Sequence, residues 1–309
     1  MHAREPEESK VALTKKQFDI LDAYSEHGAL TQRQLCELTG QSLGNVNKIV
    51  KELTELGLVD KKGITEAGTE AMEPYRVRRA IFLAAGFSSR LLPITLNTPK
   101  PLVRVKGNRI IDSLIDACLA AGITDIRVVR GYLPEQFDQL LYKYPMIRFL
   151  ENPQFNETNN ISSAVAAKDL LSNAYVFEAD LLLAKPRLVK RYQYSSNILG
   201  IKTERTDDWC VVVEDGVIVE EKVGGEGDNI WRLLGISYWT GEDGRRLSED
   251  LVRTYQAPGG RERYWEQVPL LYCRDRYTVE IRECEEEDIT EIDTFRELRQ
   301  IDRTYDINL

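Results

Sequence analysis

Histidines and paired cysteines are scarce in this sequence of 309 residues. It contains two histidines, His2 and His27, and five cysteines, none of which belongs to a Cys-x-x-Cys pair. Scattered cysteines favour reduced, mostly buried thiols in a cytoplasmic protein. We expect neither histidine to be catalytic, because His2 lies near the chain end and His27 ends a predicted helix.

Long apolar runs and excess positive charge are also missing. No run approaches the roughly 20 residues that a membrane-spanning helix needs, and residues 1–8 lack the apolar segment of a secretory signal. The formal net charge is -9, which disfavours nonspecific binding of polyanions by the chain as a whole. We therefore expect no membrane partner. The length suggests two domains, which we place at residues 1–76 and 77–309.

The first domain carries the pattern of a helical triad followed by a small β-ribbon. Thr14, Thr31 and Ser42 are each placed to cap a helix, and Gln34 completes a capping box with Thr31. Gly57 is expected to end the third helix. The ribbon is predicted around residues 58–64, with a last helix that Thr65 is placed to cap. This order, over residues 13–72, resembles the winged helix–turn–helix of small bacterial regulators.

DNA is a candidate partner for residues 13–72. The third helix would present polar side chains to a groove, namely Asn45, Asn47, Lys48 and Lys51. However, residues 1–78 hold 11 Lys and Arg against 13 Asp and Glu, a net charge of -2, whereas DNA-binding domains usually present a basic surface. DNA binding and a structural or dimerising role both stay open, and the sequence carries no signal of oligomeric state.

A loop of small residues follows the predicted buried strand at residues 80–83. Because nothing bulky stands in the way, its backbone can approach a triphosphate closely and point N–H groups at phosphate oxygens. The loop is followed by the motif Thr98-Pro99-Lys100-Pro101-Leu102, and Arg90 and Lys100 are expected to neutralise charge during nucleotidyl transfer. The loop residues are Leu83, Ala84, Ala85, Gly86, Phe87, Ser88, Ser89 and Arg90. They resemble the signature of sugar-nucleotide and cytidylyl transferases, which more often have glycine at the position of Ser88.

From residue 79 onward, apolar runs alternate with amphipathic segments. Helices are predicted at 110–121, 134–142 and 161–171, and strands at 126–129, 147–150 and 175–179. Such alternation predicts an α/β fold with a mixed, mostly parallel, Rossmann-like sheet that has helices on both faces and follows the winged helix. Ligands of these sheets bind at the carboxyl ends of the strands.

Two aspartates are the candidate metal ligands. Asp180 directly follows a predicted buried strand, and Asp293 follows a predicted strand around residues 277–281 and an acidic run. Carboxylates together with substrate phosphates are the usual ligands of Mg²⁺. Asp180 could instead cap a helix or a turn, and Asp293 could cap the C-terminal helix. The adjacent Glu178 and Glu291 are alternative ligands, although we expect them to point to the opposite face from the neighbouring aspartates.

Residues 79–305 resemble the bacterial CTP:phosphocholine cytidylyltransferases. The matching motifs, beyond the loop, include Asn159-Asn160-Ile161-Ser162-Ser163, Glu178-Ala179-Asp180 and Glu291-Ile292-Asp293-Thr294. The resemblance implies an enzyme that uses CTP and Mg²⁺, joins CMP to a phosphorylated small alcohol and releases pyrophosphate. It further implies that Asn159, Asn160, Ser162 and Ser163 lie near the nucleoside, and that Asp180 and Asp293 hold the metal.

All four tryptophans fall within 57 residues, from Trp209 to Trp265. Aromatic faces attract quaternary ammonium groups, although aromatic residues equally often fill a core. We expect an acceptor pocket for phosphocholine, or for 2-aminoethylphosphonate or another amino-alcohol phosphate; a sugar 1-phosphate is the more distant candidate. The pocket residues predicted are Trp209, Tyr238, Trp239, Tyr264 and Trp265. Lys222 is added because Glu221-Lys222 resembles a Glu-Lys pair that contacts the acceptor phosphate in sugar nucleotidyltransferases, with a solvated lysine at a strand end as the alternative. A nucleotide-sensing transcriptional regulator with a transferase-like domain is the alternative function.

Overall fold

The structure is a computed structural model that describes residues 12–306. By its internal contacts the chain divides into two compact units, one ending at Arg76 and the other beginning at Val77. The N-terminal segment considered above, with His2, lies outside the described residues. Each unit has its own buried core.

The first unit consists of helices around a small core, followed by a short ribbon. Fully buried Leu21, Leu35, Leu53 and Met72 come from different helices and form part of that core. The threonine and serine caps are confirmed, because Thr14, Thr31, Ser42 and Thr65 each accept a hydrogen bond from the first turn of their helix. The elements are α1 (Lys15–His27), α2 (Gln32–Thr39), α3 (Leu43–Glu55), β1 (Val59–Asp60), β2 (Gly63–Ile64) and α4 (Glu66–Met72).

The second unit is built on a large sheet with helices packed against it. Its elements, in chain order, are β3 (Arg79–Leu83), β4 (Arg104–Val105), β5 (Asn108–Arg109), α5 (Ile110–Ala120), β6 (Asp125–Arg130), β7 (Arg148–Glu151), α6 (Ile161–Ala166), β8 (Ala174–Glu178), β9 (Leu181–Leu183), β10 (Asn197–Lys202), β11 (Arg205–Glu214), β12 (Val217–Glu226), β13 (Ile230–Trp239), α7 (Gly241–Gln256), β14 (Glu280–Glu283), β15 (Ile289–Glu291) and α8 (Phe295–Ile301).

Among the described residues, nine strands form the large sheet in the order β10-β14-β12-β11-β13-β8-β3-β6-β7. Strands β8, β3, β6 and β7 are parallel to one another, as the alternation predicts. Strand β11 lies beside them between β12 and β13 and is antiparallel to both. The sheet is therefore mixed, and its antiparallel part is more extensive than the alternation predicts. The reason is local: Asp215 and Gly216 both adopt positive φ, which makes a tight hairpin turn between β11 and β12.

Several element boundaries differ from the sequence prediction. The helix predicted at 161–171 is α6 only to Ala166, followed by a short 3₁₀ turn. The segment Pro134–Tyr142 is a 3₁₀ helix, and β14 begins at Glu280 instead of 277. These shifts leave the strand ends in place, so they do not move the candidate site.

Both faces of the sheet are covered by apolar packing. On one face, the rings of Phe82 and Phe177 stack with centroids 4.8 Å apart, and both side chains are fully buried. On the other face, Ile81 and Val176 pack in a second buried cluster with Trp239. This packing holds β3 and β8 rigidly side by side, so that the segments following them emerge together at the carboxyl edge of the sheet. No helix in the described part of the chain is long and apolar enough to cross a bilayer.

Candidate active site

The loop that follows β3 lines a cavity of about 270 Å³, which we call the loop cavity. Leu83, Ala84, Ala85, Gly86 and Ser88 from the predicted signature all line it. A Cβ added at Gly86 would meet no other atom within 4 Å, so this position leaves open space in the loop. That space allows a ligand to approach the backbone closely. Phe87, Ser89 and Arg90 do not line this cavity. Phe87 packs edge-on against Tyr132, and Arg90 lines the second cavity described below.

The backbone conformation at Ser88 explains why glycine is favoured at this position. Its φ is 54° and its ψ is 58°, which is the left-handed region that residues with a Cβ adopt at an energetic cost. The serine therefore keeps the loop conformation that a glycine would adopt more easily. Its backbone carbonyl accepts a hydrogen bond from Thr95, which supports the turn.

A polar cluster forms another wall of the loop cavity. Asn159, Asn160, Ser162 and Ser163 line it together. The hydroxyls of Ser162 and Ser163 accept hydrogen bonds from the amide of Asn152, which is buried. Sequence reasoning missed Asn152, whose only signal is its position directly after β7.

Lys100 lies between two carboxylates at the floor of the site. Its Nζ is 2.8 Å from Oδ2 of Asp180 and 3.1 Å from Oδ1 of Asp293. Arg90 makes two hydrogen bonds of 2.9 Å to the carboxylate of Asp293. Burial lowers the pKa of Lys100, but the two carboxylates together raise it by more, so its pKa lies above the ordinary value. The predicted cations and the predicted metal ligands are therefore direct neighbours.

The helix cap after β15 is Thr294 and not Asp293. The Thr294 side chain accepts a hydrogen bond from the backbone N–H of Glu297, and the Glu297 side chain accepts from the N–H groups of Asp293 and Thr294. The capping alternative for Asp293 is therefore wrong. Its carboxylate is free of the helix and faces Lys100 and Arg90.

Glu178, Asp180 and Glu291 form a carboxylate cluster in which one oxygen of each lies within 4.8 Å of the others. The expectation that the glutamates point away from the aspartates is wrong, because residues two apart on an extended chain share a face. Burial, with the nearby charges of Asp180 and Asp293, raises the pKa of Glu291 to about 8. Burial also raises the pKa of Glu178 well above its ordinary value, together with the charges of Glu266 and Asp180.

This cluster fits a divalent cation. Oδ1 of Asp180 is buried and has no hydrogen-bond partner among the described residues, which is costly for an ionised carboxylate. Crowded carboxylates that raise each other's pKa need positive charge nearby. Oxygen ligands of this kind suit Mg²⁺. The donor set therefore fits a bound divalent metal.

A second cavity of about 620 Å³, the aromatic cavity, adjoins the first. Trp209, Tyr264 and Trp265 line it, and the rings of Trp209 and Tyr264 meet edge-on with centroids 5.2 Å apart. Four carboxyl groups outside the carboxylate cluster also line it, from Asp208, Glu221, Glu266 and Asp293. The aromatic cavity therefore combines π faces with negative charge.

Three of the predicted acceptor residues do not reach this cavity. Tyr238 is 1% exposed and Trp239 is fully buried, and both belong to the core of the sheet. Trp239 packs against Trp265, so it supports the cavity wall from behind. Lys222 is not among the lining residues, because its neighbour Glu221 takes the cavity face of β12 and side chains alternate along a strand.

The two cavities meet at shared residues. Asn159, Asn160, Glu178 and Asp180 line both of them. The amide of Asn160 donates to Glu178 and Glu266, and its oxygen accepts from the backbone N–H of Trp265. Two ligands bound in the two cavities would therefore meet at the carboxylate cluster.

Comparison with known proteins agrees with this geometry. Residues 79–203 match the family model described as nucleotidyl transferase, and residues 13–67 match the one described as MarR family. The chain is 35% identical to the 2-aminoethylphosphonate cytidylyltransferase of Lancefieldella rimae, over 73% of this chain and 92% of that protein. It is 31% identical to the choline-phosphate cytidylyltransferase of Streptococcus pneumoniae, over 72% of this chain and 96% of that protein.

A solved structure gives the same result. The CTP:phosphocholine cytidylyltransferase from Streptococcus pneumoniae aligns with a TM-score of 0.67 at 30% identity, covering 74% of this chain and 99% of that chain. Fold and site thus define a nucleotidyltransferase preceded by a MarR-type winged helix. Within that class, the chain belongs to the cytidylyltransferase family.

Proposed function

We propose that this enzyme transfers CMP from CTP to a small acceptor that carries a phosphate or phosphonate at one end and an amino group at the other. The observation that carries the proposal is the junction of the two cavities at Asp180, Glu178, Asn159 and Asn160. A nucleoside triphosphate in the loop cavity and an acceptor in the aromatic cavity would meet there. Pyrophosphate is the second product.

In the proposed reaction, an acceptor oxygen attacks the α-phosphorus of CTP in line. A new P–O bond forms while the bond from the α-phosphorus to the bridging oxygen breaks, and pyrophosphate leaves with that electron pair. The acceptor oxygen is already ionised near neutral pH, so no general base is needed. Lys100 and Arg90 neutralise the charge that develops on the phosphate oxygens.

The proposal includes Mg²⁺ as the cofactor. Asp180 would hold it together with Glu178 or Glu291 and with Asp293. When bound, the metal supplies charge neutralisation and fixed geometry for the phosphate groups. Support comes from the unpartnered Oδ1 of Asp180.

The amino group of the acceptor is inferred from the aromatic cavity. Trp209 and Tyr264 present aromatic faces, and Asp208, Glu221 and Glu266 present carboxyl groups. Both features favour a cation. Phosphocholine and 2-aminoethylphosphonate, the acceptors named for the relatives, are the two candidates; a sugar 1-phosphate offers no cation to this cavity.

Pyrophosphate release tests the proposed function. CTP, UTP, ATP and GTP are each combined with phosphocholine, 2-aminoethylphosphonate and glucose 1-phosphate in the presence of Mg²⁺. We expect release with CTP and an amino-bearing acceptor only. The Asp180→Asn variant should abolish it, whereas Asp169→Asn, at an exposed ion pair with Lys168, should not. Release with none of these pairs would contradict the proposal.

A cytoplasmic location is part of the proposal. All five cysteines lie within the described residues and none forms a disulfide. Free thiols are typical of reducing compartments. Cell fractionation with detection of the protein tests this point.

DNA binding by the first unit is a second candidate function. Its support is the match of residues 13–67 to the MarR family and the exposure of Asn47, Lys48 and Lys51 on α3. Lys48 and Lys51 also pair with glutamates one turn further along the helix, which reduces their net charge. A gel shift with upstream DNA at low salt tests it. No shift would leave the unit with a structural or dimerising role.

A further inference from the structure

Glu221 is a buried carboxyl group without an ion-pair partner among the described residues. It lies on β12, is 8% exposed and lines the aromatic cavity. Its Oε2 atom is buried and has no hydrogen-bond partner in the described part of the chain. Buried polar atoms are almost always paired, so an exception of this kind needs an explanation.

The other carboxyl groups of the cavity are occupied. Glu266 is hydrogen-bonded to Glu178 and also accepts from the amide of Asn160. Asp208 accepts from the backbone N–H of Trp209, and Asp293 holds Arg90 and Lys100. Outside the carboxylate cluster, and among the described residues, Glu221 is therefore the carboxyl group of this cavity whose buried oxygen is left without a partner, whereas Asp208 is exposed to solvent.

A structural role for Glu221 finds no support in its surroundings. The adjacent Lys222 does not neutralise Glu221, because its side chain lies on the opposite face of β12. The Nζ atom of Lys222 is instead 4.0 Å from the carboxylate of Glu220. Glu221 is also close enough to Glu266 for its charge to raise the pKa of that group. Two carboxyl groups that repel each other in one cavity destabilise the empty protein and favour a cationic ligand.

An unpartnered carboxylate oxygen needs a hydrogen-bond donor as well as a positive charge. A primary ammonium carries three N–H donors, whereas a trimethylammonium group carries none. Quaternary ammonium groups are held by several aromatic faces, and burial of Tyr238 and Trp239 leaves this cavity only Trp209, Tyr264 and Trp265 of the predicted set.

We infer that Glu221 is a specificity-determining residue, which accepts a hydrogen bond from the ammonium of the acceptor and selects primary amines over trimethylammonium. This inference rests on the proposed function of the aromatic cavity. Burial raises the pKa of Glu221 to about 7, and a bound ammonium would favour its ionised form. The acceptor class is therefore an aminoalkyl phosphonate or phosphate with free N–H groups.

A methylation series on the ligand tests this without any variant. The wild-type enzyme is assayed with CTP and 2-aminoethylphosphonate bearing zero, one, two or three N-methyl groups. Two methyl groups still leave one N–H on the ammonium, so we expect the main fall in kcat/KM at the third methyl group. The expected fall is about 10- to 100-fold, which corresponds to the loss of one charge-assisted hydrogen bond. An even decline at each methyl group, or no decline, would overturn the inference.

The matched variants are Glu221→Gln and Glu220→Gln, which change neighbouring residues on opposite faces of β12. Glu221→Gln should lower kcat/KM for 2-aminoethylphosphonate by about 10- to 100-fold and that for phosphocholine by much less, because both acceptors lose the attraction of the charge but only the primary ammonium loses a charge-assisted hydrogen bond. Glu220→Gln, at an exposed position, should change neither. An equal effect of Glu221→Gln on both acceptors would overturn the inference.

Calorimetric titration separates this inference from the proposed function. If no acceptor gives pyrophosphate with any nucleotide, the proposed reaction is wrong. Binding of 2-aminoethylphosphonate to wild type and to Glu221→Gln then still decides the role of Glu221. Weaker binding by the variant supports it, and equal binding or no binding to either protein refutes it.

Discussion

The ammonium nitrogen of Lys100 lies 2.8 Å from one carboxylate oxygen of Asp180, while the other oxygen of Asp180 has no partner among the described residues. The lysine is 3% exposed, so this pair is shielded from water. Without a ligand, Lys100 and a member of the carboxylate cluster thus neutralise each other. We expect a bound triphosphate to compete for Lys100 and a divalent cation to compete for Asp180.

The first prediction concerns Lys100. Replacement by Met keeps the length of the side chain but removes its charge, so the transition state loses one of its cations. We expect kcat with CTP to fall about 100- to 1000-fold, as for other lost electrostatic contacts in active sites. Initial rates of pyrophosphate release measure it.

Lys168→Met is the matched control for that variant, because Lys168 is paired with its exposed neighbour Asp169 and, within residues 12–306, with no other carboxylate. Thermal unfolding of both variants, with and without Mg²⁺, shows whether the loss comes from misfolding. A Lys100→Met enzyme with unchanged kcat would contradict the assigned role.

The second prediction concerns Gly86. Its φ is not in the left-handed region and an added Cβ would meet no protein atom within 4 Å, so Gly86→Ala should fold normally. The methyl group would instead occupy space in the loop cavity. We expect an unchanged unfolding temperature and a KM for CTP raised about tenfold, which corresponds to about 1.4 kcal/mol. Steady-state kinetics with varied CTP measure this, and an unchanged KM would show that no ligand approaches the loop here.

The third prediction separates cavity from core among the tryptophans. Trp239 is fully buried, and its replacement by Ala should lower the free energy of unfolding by about 3–5 kcal/mol. Trp209 lines the aromatic cavity and is partly exposed, so Trp209→Ala should raise the acceptor KM with a much smaller loss of stability. Chemical denaturation and acceptor titrations measure both quantities. Equal destabilisation by the two variants would contradict the difference in their positions.

These two tryptophans also show how far sequence reasoning reached. Small residues and carboxylates that follow strands are local features of the sequence, and they predict the loop from Leu83 to Ser88 and the pair Asp180 and Asp293. The structure places these residues, apart from Phe87, around the two cavities. The aromatic residues could not be sorted in the same way. Tyr238 and Trp239 are adjacent on β13, yet both are buried, because a central strand has core on both of its faces.

The prediction that Lys222 lines the acceptor pocket is wrong for a related reason. A shift of one residue along a strand exchanges the two faces of the sheet, and the sequence Glu220-Glu221-Lys222 has no apolar alternation that indicates which face is inward. The register of β12 against β11 decides it, with Glu221 opposite Val211. That register depends on the hairpin turn and on pairing with other strands of the sheet. The local sequence of β12 does not specify it.

The last prediction is the pH dependence of stability that Glu221 confers. Its ordinary pKa of 4.5 applies to the unfolded chain, and burial raises the pKa to about 7 in the folded protein. Between these values the folded state binds more protons than the unfolded state, so this group lowers stability as pH rises from about 4.5 to 7. A shift of this size corresponds to a loss of about 3 kcal/mol at most above pH 7.

Glu221→Gln removes this titration. The variant should therefore gain stability over wild type at about pH 8, and the gain should disappear at about pH 3.5, which lies below the pKa of Glu221 in both states. Tryptophan fluorescence is a suitable signal, because all four tryptophans lie in the second unit. Glu220→Gln, at an exposed side chain, should follow the wild-type curve at every pH. The two free energies of unfolding, for Glu221→Gln and wild type, could instead differ by a constant amount from pH 4.5 to 8. The pKa of Glu221 would then not be raised in the folded protein, and a bound ammonium would have no buried charge to compensate.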